Sequence, residues 1–90
     1  MSDGTEGVRL LYFSWVRERI GRQSEEMLLP APMTLSALAD LLAARSAGHA
    51  SAFADRARLR AAINQQFAGW NAIAGNGDEV AFFPPVTGGN

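Results

Sequence analysis

Few residues of this chain have the means to do chemistry, and most of them exclude themselves. The 90 residues include no cysteine, which removes disulfides, thiolate metal sites and a cysteine nucleophile. The single His49 stands in Ala47-Gly48-His49-Ala50-Ser51 without a second His or a Cys. That is short of the ligands zinc needs, so it reads as a solvated loop residue. Asp78 and Glu79 are adjacent carboxylates, but an acid–base pair needs an enclosing cleft and a shifted pKa, and a polar turn before a strand explains them more simply. There remains the C-terminal run Phe82-Phe83-Pro84-Pro85-Val86-Thr87-Gly88-Gly89. Pro84 and Pro85 each fix φ near about −65° and lack a backbone donor, so they end a strand and bias the chain toward a stiff, extended exit. From Val86 the side chains shrink to none at Gly88 and Gly89, leaving a thread thin enough for a narrow channel. A frayed terminus would have the same composition.

The elements that must hold such a tail are legible in outline. Val8-Arg9-Leu10-Leu11-Tyr12-Phe13 reads as a buried strand. Ser14 to Gly21 turns the chain, with Gly21 available for positive φ, and Gln23 to Leu29 forms a second strand that Pro30 and Pro32 stop. Thr34 is placed to cap a helix over Leu35 to Arg45, with Leu35, Leu38, Leu41 and Leu42 toward one face and Gly48 as its end. Ala52 to Arg58 is a short second helix. Leu59 to Asn64 is a third strand, and Gln65 to Ala74 a hairpin-like excursion around Phe67 and Trp70. The turn Gly75-Asn76-Gly77-Asp78 leads into a last strand, Val80 to Phe83. Two strands, a crossover helix and further strands make an α+β domain with a small mixed sheet. The expected organisation is a disordered stretch over 1–7, one domain over 8–83 and a tail over 84–90.

Composition narrows the function classes. A hydrophobic content of 48% in 90 residues suits one compact module and is too short for two. The formal net charge is −1 with scattered basic residues, unlike the stripe that holds a phosphate backbone, so nucleic acid is not an expected partner. No apolar run approaches the roughly 20 residues that span a bilayer, and the N-terminus lacks a basic and an apolar targeting region. The expectation is a soluble cytoplasmic protein that engages no membrane.

Gly77-Asp78-Glu79-Val80-Ala81-Phe82-Phe83-Pro84-Pro85-Val86-Thr87-Gly88-Gly89 closely resembles the closing motif of molybdopterin synthase small subunits. Leu11-Tyr12-Phe13 with Val16-Arg17-Glu18 and Gly21, and Ala61-Ala62-Ile63-Asn64-Gln65, extend the likeness; across Ala31 to Arg58 only the helix pattern supports it. The resemblance implies a ubiquitin-like β-grasp fold and a sulfur carrier that binds no cofactor. In that family an E1-like adenylating enzyme uses ATP to activate the terminal glycine carboxylate, and a sulfur donor converts the adenylate to a thiocarboxylate. The tail then enters the large subunit of molybdopterin synthase and gives its sulfur to a cyclic pyranopterin precursor, within a heterotetramer of two small and two large subunits. By position, Gly89 would be the attachment point and Pro85, Val86, Thr87 and Gly88 the inserted segment. Adenylation fits the chemistry, because a carboxylate is a poor acyl donor until its oxygen becomes a leaving group.

Alternation along a strand sends Phe82 and Phe83 to opposite faces, so one is expected to be exposed as an anchor for the partner. Phe82, Phe83, Pro84 and Pro85 are taken as the partner-facing patch, with Arg17 and Glu18 either at its rim or as solvated loop charges. Three other functions use the same features: a sulfur carrier for thiamine thiazole synthesis, a ubiquitin-like protein modifier, and an interaction module with an inert tail. The Phe82 to Val86 run speaks against the first. Asn90 departs from the family pattern, which ends at the second glycine. It ties the Gly89 carboxylate into an amide, so the expectation is that Asn90 is absent from the working form.

Overall fold

The computed structural model describes residues 6–85; the tail segment Val86 to Asn90 and its terminal glycines lie outside the described residues. In chain order the elements are β1 (Val8–Tyr12), α1 (Ser14–Ile20), β2 (Ser24–Met27), β3 (Met33–Thr34), α2 (Leu35–Ala43), α3 (Ala47–Ala52), a 3₁₀ turn (Arg56–Arg58), β4 (Arg60–Ile63), β5 (Gln66–Ala68), β6 (Ile73–Ala74) and β7 (Glu79–Phe83). Five strands form one sheet in the order β2-β1-β7-β4-β5, and β3 pairs with β6 apart from it. β1 and β7 run parallel, with Leu10 opposite Val80 and Tyr12 opposite Phe82. β4 lies antiparallel on the other side of β7, with Ala61 opposite Phe82. An antiparallel hairpin, a helical crossover and a last strand parallel to the first constitute the α+β, ubiquitin-like β-grasp arrangement.

One face of this sheet is the core. Val8, Leu10 and Tyr12 of β1, Val80 and Phe82 of β7 and Ala61 of β4 all point into it and are buried against Leu35, Leu38 and Leu42 of α2. The period of two in the strands and of 3.6 in the helix thus meet in one apolar layer. Thr34 caps α2 as expected, its Oγ1 accepting the Ala37 N–H at 3.1 Å. Leu41 departs from the expectation and is 43% exposed. At ~100° per residue, position i+6 lies about 120° round the helix from Leu35, off the buried stripe.

Several stretches differ from the sequence reading, among them the short second helix, which runs over Ala47–Ala52 and gives way to the separate 3₁₀ turn Arg56–Arg58 rather than spanning Ala52 to Arg58. Ser14 to Ile20 is a helix rather than a turn, closed by Gly21 at φ 89°. Gly48 does not end α2, which stops at Ala43 with Ala44 as its cap. Gly48 lies inside α3, where a Cβ would collide with the Arg19 carbonyl oxygen of α1. Its missing side chain is what lets the two helices touch. Replacing Gly48 with Ala is expected to cost about 1–3 kcal/mol, read as a lower urea midpoint; an unchanged midpoint would refute that close approach. Gly7 belongs to the domain rather than to the segment before it, being buried and accepting the Gly77 N–H at 3.1 Å.

His49 is the largest surprise, because it is buried rather than solvated, with 6% of its surface exposed. Its Nε2 lies 2.6 Å from Glu25 Oε2, and its Nδ1 lies 2.7 Å from Ser46 Oγ. Glu25 faces inward from β2, opposite Leu10, and accepts the Tyr12 hydroxyl at 2.7 Å while Arg22 and Arg45 approach its other oxygen. Burial alone would raise the Glu25 carboxyl, but hydrogen bonds from His49 and Tyr12 and the charge of Arg45 hold it below its ordinary value of 4.5. An ionised carboxylate only accepts, so the proton in the 2.6 Å contact is donated by Nε2. Tyr12 moves the other way: burial, then its bond to the carboxylate, push its hydroxyl well above the usual range.

A depressed carboxyl contributes stability that is fully present above its unfolded pKa and is lost as pH falls through the folded one. Urea titrations should therefore show this domain weakening below about pH 4.5, with a smaller loss in a Glu25→Gln variant. Equal acid sensitivity in the two proteins would contradict the network. At neutral pH His49→Ala, which removes one buried partner, is expected to cost about 1–3 kcal/mol.

Candidate functional site, the root of the tail

The tail leaves from β7, the middle strand of the five. On one side the Phe13 N–H bonds to the Phe82 carbonyl at 3.2 Å, tying the entry of α1 to the end of the strand. On the other side Arg60 opposes Phe83. Pro84 and Pro85 follow half-buried, and neither supplies a backbone N–H to prolong the ladder.

Phe82 and Phe83 separate as strand alternation requires. Phe82 has no exposed surface; Tyr12 and Trp70 stack on it with ring centres 6.4 and 6.2 Å away, and Phe53 meets it edge-on at 4.9 Å. This corrects its assignment to the partner-facing patch, since a side chain without exposed surface has nothing to offer a partner. Phe83, half-buried, emerges on the opposite, open face. There Phe67 of β5 packs beside it at 5.8 Å, 82% exposed. A cleft of about 370 Å³ lies between them, lined by Arg60, Ala61, Phe67, Ala68, Gly69 and Phe83. By register and alternation, Leu11, Ala62 and Ala81 continue this open face. The result is an apolar strip rimmed by a guanidinium.

Sequence reasoning missed Phe13 and Phe67. Phe13 is 46% exposed where β1 gives way to α1. Phe67 sits in a three-residue strand whose pairing partner, Ala62, is the signal that would have placed it on the open face. Arg17 and Glu18 are both exposed, on helix α1 rather than in a loop. Asp78 is the turn residue it was read as: Oδ2 accepts the Gly75 N–H at 2.9 Å and Oδ1 accepts from Asn64 Nδ2 at 3.1 Å. Among the described residues no group of His, Cys, Asp and Glu could hold a metal ion, and no helix is long and apolar enough to cross a membrane. Gly88 and Gly89, with Val86 and Thr87, fall outside the described residues.

Comparison with known proteins agrees with this geometry. A model of the ThiS family matches residues 10–89. The molybdopterin synthase sulfur carrier subunit of Escherichia coli (strain K12) is 43% identical over 82 residues, covering 91% of this chain and 99% of that protein. The protein of the same name from Haemophilus influenzae is 38% identical over 82 residues, with the same coverage. Among solved structures, SAMP1 from Haloferax volcanii shares the fold with a TM-score of 0.70 at 23% identity, covering 92% of this chain and 99% of that one.

Proposed function

Because the chain belongs to the ThiS family, we propose that it is the sulfur carrier of a molybdopterin synthase, working through the carboxylate of Gly89. The observation that carries this reading is the construction of the tail root. β7 is gripped on both sides, its ladder is cut at Pro84, and an apolar open face carrying Phe83 and Phe67 lies beside the exit. In this reading the body offers its terminus to another protein's site, and the catalytic side chains belong to that partner.

In the proposed sequence a free Gly89 carboxylate oxygen attacks the α-phosphorus of ATP in an E1-like enzyme, and pyrophosphate leaves. Sulfide (HS⁻) released by the sulfur donor then attacks the acyl carbon, AMP departs with the bonding electrons, and loss of the proton leaves a thiocarboxylate. Docked on the large subunit, the thiocarboxylate sulfur bonds to a carbon of a cyclic pyranopterin and displaces an oxygen substituent there; water then cleaves the acyl–sulfur bond, leaving the sulfur on the pterin and Gly89 as a carboxylate. Each sulfur given up costs the tail its activation, so the carrier cycles between partners. Weak, exchangeable docking through a small aromatic patch suits such a cycle better than a permanent interface.

The test is sulfur transfer. A thiocarboxylated chain labelled with ³⁵S, mixed with the large subunit and cyclic pyranopterin, should pass label to the pterin and return as the carboxylate. Retention of label on the chain would sink the proposal. Label passed to a thiazole precursor would indicate the thiamine pathway, and covalent ladders on other proteins would indicate a modifier. All eight basic residues are arginine, so any isopeptide ladder would have to form on lysines of other proteins.

A further inference from the structure

The eight arginines sort into two groups. Arg22 and Arg45 pair with Glu25, and Arg56 pairs with Asp40. Four of the remaining five gather on the elements that frame the tail root. Arg60 opposes Phe83, and its Nη1 donates to the carbonyls of Leu59 at 2.8 Å and Ala57 at 3.2 Å. Arg58 lies two residues earlier, its guanidinium 5.9 Å from the centre of the Trp15 ring. Arg19 of α1 lies 4.5 Å from the same ring, and its Nη1 donates to the Ser51 carbonyl at 3.4 Å. Arg17 is carried by the same helix.

All four are exposed, and among the described residues none has a carboxylate within 4 Å. The acids on these elements are Glu18, exposed on α1, and Asp55, whose Oδ1 already accepts the Ala57 N–H at 3.2 Å. The fifth arginine, Arg9, sits toward the other end of β1 with Glu26 and Glu79 as its register partners. Asp78 follows on beside Glu79. Of the five arginines without a carboxylate within 4 Å among the described residues, four therefore lie toward the end from which the tail leaves, while Arg9 lies at the other beside Glu26, Asp78 and Glu79.

Resting on the sulfur-carrier reading, we propose that Arg58, Arg60 and Arg19, with Arg17 beside them, form a docking collar for an acidic rim around the mouth of the tail-receiving channel. The partner is a protein whose entrance carries aspartates or glutamates. Three of the guanidiniums are already held by backbone carbonyls or an indole face, so docking orders few new side chains. Arg58, held over the Trp15 face with no side-chain hydrogen bond among the described residues, keeps its N–H fork for a carboxylate, and Arg19 and Arg60 keep the donors that their carbonyl bonds do not use. The tail tip is itself an anion and an acidic mouth repels it; charge on the body, rather than on the tip, must orient the encounter. The collar faces the mouth only when the tail does, so long-range attraction favours productive approaches. A glycine-ended chain without a collar meets the same mouth with repulsion alone.

Stopped-flow association of the chain with the large subunit, across sodium chloride from about 0.02 to 0.5 M, tests this. The parent on-rate should fall about tenfold or more over that range. Arg58→Gln/Arg60→Gln should lower the low-salt on-rate by about three- to tenfold and flatten the salt dependence. Arg9→Gln should do neither. Arg58→Lys/Arg60→Lys should restore both, which a merely structural role would not, and thermal melts of each variant report whether it folds. A salt-independent parent on-rate, or an equal loss in Arg9→Gln, overturns the collar. So does a Gln variant that loses retention on immobilised RNA while its protein association is intact, since the collar would then be a polyanion site. Sulfur transfer is measured separately: a chain that transfers sulfur with salt-independent docking keeps the proposed function and loses the collar, whereas one that transfers none loses both.

Discussion

A chain ending at Gly89, incubated with an E1-like enzyme, ATP and a sulfur source, is expected to gain about 16 Da as one carboxylate oxygen is exchanged for sulfur. The same chain carrying Asn90 is expected to gain nothing. The difference is close to all-or-none because it concerns which carbonyl is a carboxylate. With Asn90 attached, the Gly89 carbonyl is an amide whose nitrogen is a poor leaving group, and adenylation has no oxygen to act on. The free carboxylate then belongs to a residue with a side chain, one position further along a thread otherwise made of two glycines. Intact mass before and after the reaction reads the outcome directly. Equal sulfur uptake by both forms would remove Gly89 from its proposed role.

The second large effect divides two neighbours. Phe82→Ala should cost about 3–5 kcal/mol, because the ring is fully buried and packs on Tyr12, Phe53 and Trp70. Domains of this size hold only about 5–15 kcal/mol in all, so the variant should be largely unfolded in mild urea. Phe83→Ala should leave the melting temperature nearly unchanged and weaken association with the large subunit about 30-fold, as removal of an aromatic anchor worth about 2 kcal/mol does. Thermal melts and titration binding on the same two proteins decide. A stable Phe82→Ala, or a Phe83→Ala that binds as the parent does, would show that the two faces of β7 do not divide their work in this way.

The sequence was most legible where local rules and tertiary demands agree. Thr34 before a leucine stripe, the prolines after Phe83 and the glycine-rich turn before β7 each announce an element by a mechanism that acts within a few residues. α1 carries no such announcement. Its N-cap position is Phe13, with no side-chain cap, and Ser14 enters at φ 57°. Contact with α3 and the burial of Val16 hold this helix, and neither is visible in a window of seven residues. His49 was illegible for a related reason. A polar residue in a small-residue stretch reads as solvated until its partner is known, and Glu25 lies 24 positions away on a strand that begins with polar residues. At the site, strand alternation foresaw that Phe82 and Phe83 would part. Which of them faced the core depended on β1 and β4 lying on either side, a long-range fact that no alternation pattern contains.

The placement of β7 between β1 and β4 also has a mechanical meaning. A partner that draws in the tail pulls along the axis of the last strand, and that strand is bonded laterally to both neighbours over its length. Such a pull loads the cross-strand bonds together, in shear, rather than opening them one after another as peeling an edge strand would. Had the tail been attached to β2 or β5, each tug would have unzipped the sheet from its margin. The tail is thus anchored like a rope spliced into the middle of a cable, as the proposed cycle of capture and release would require of the body behind it.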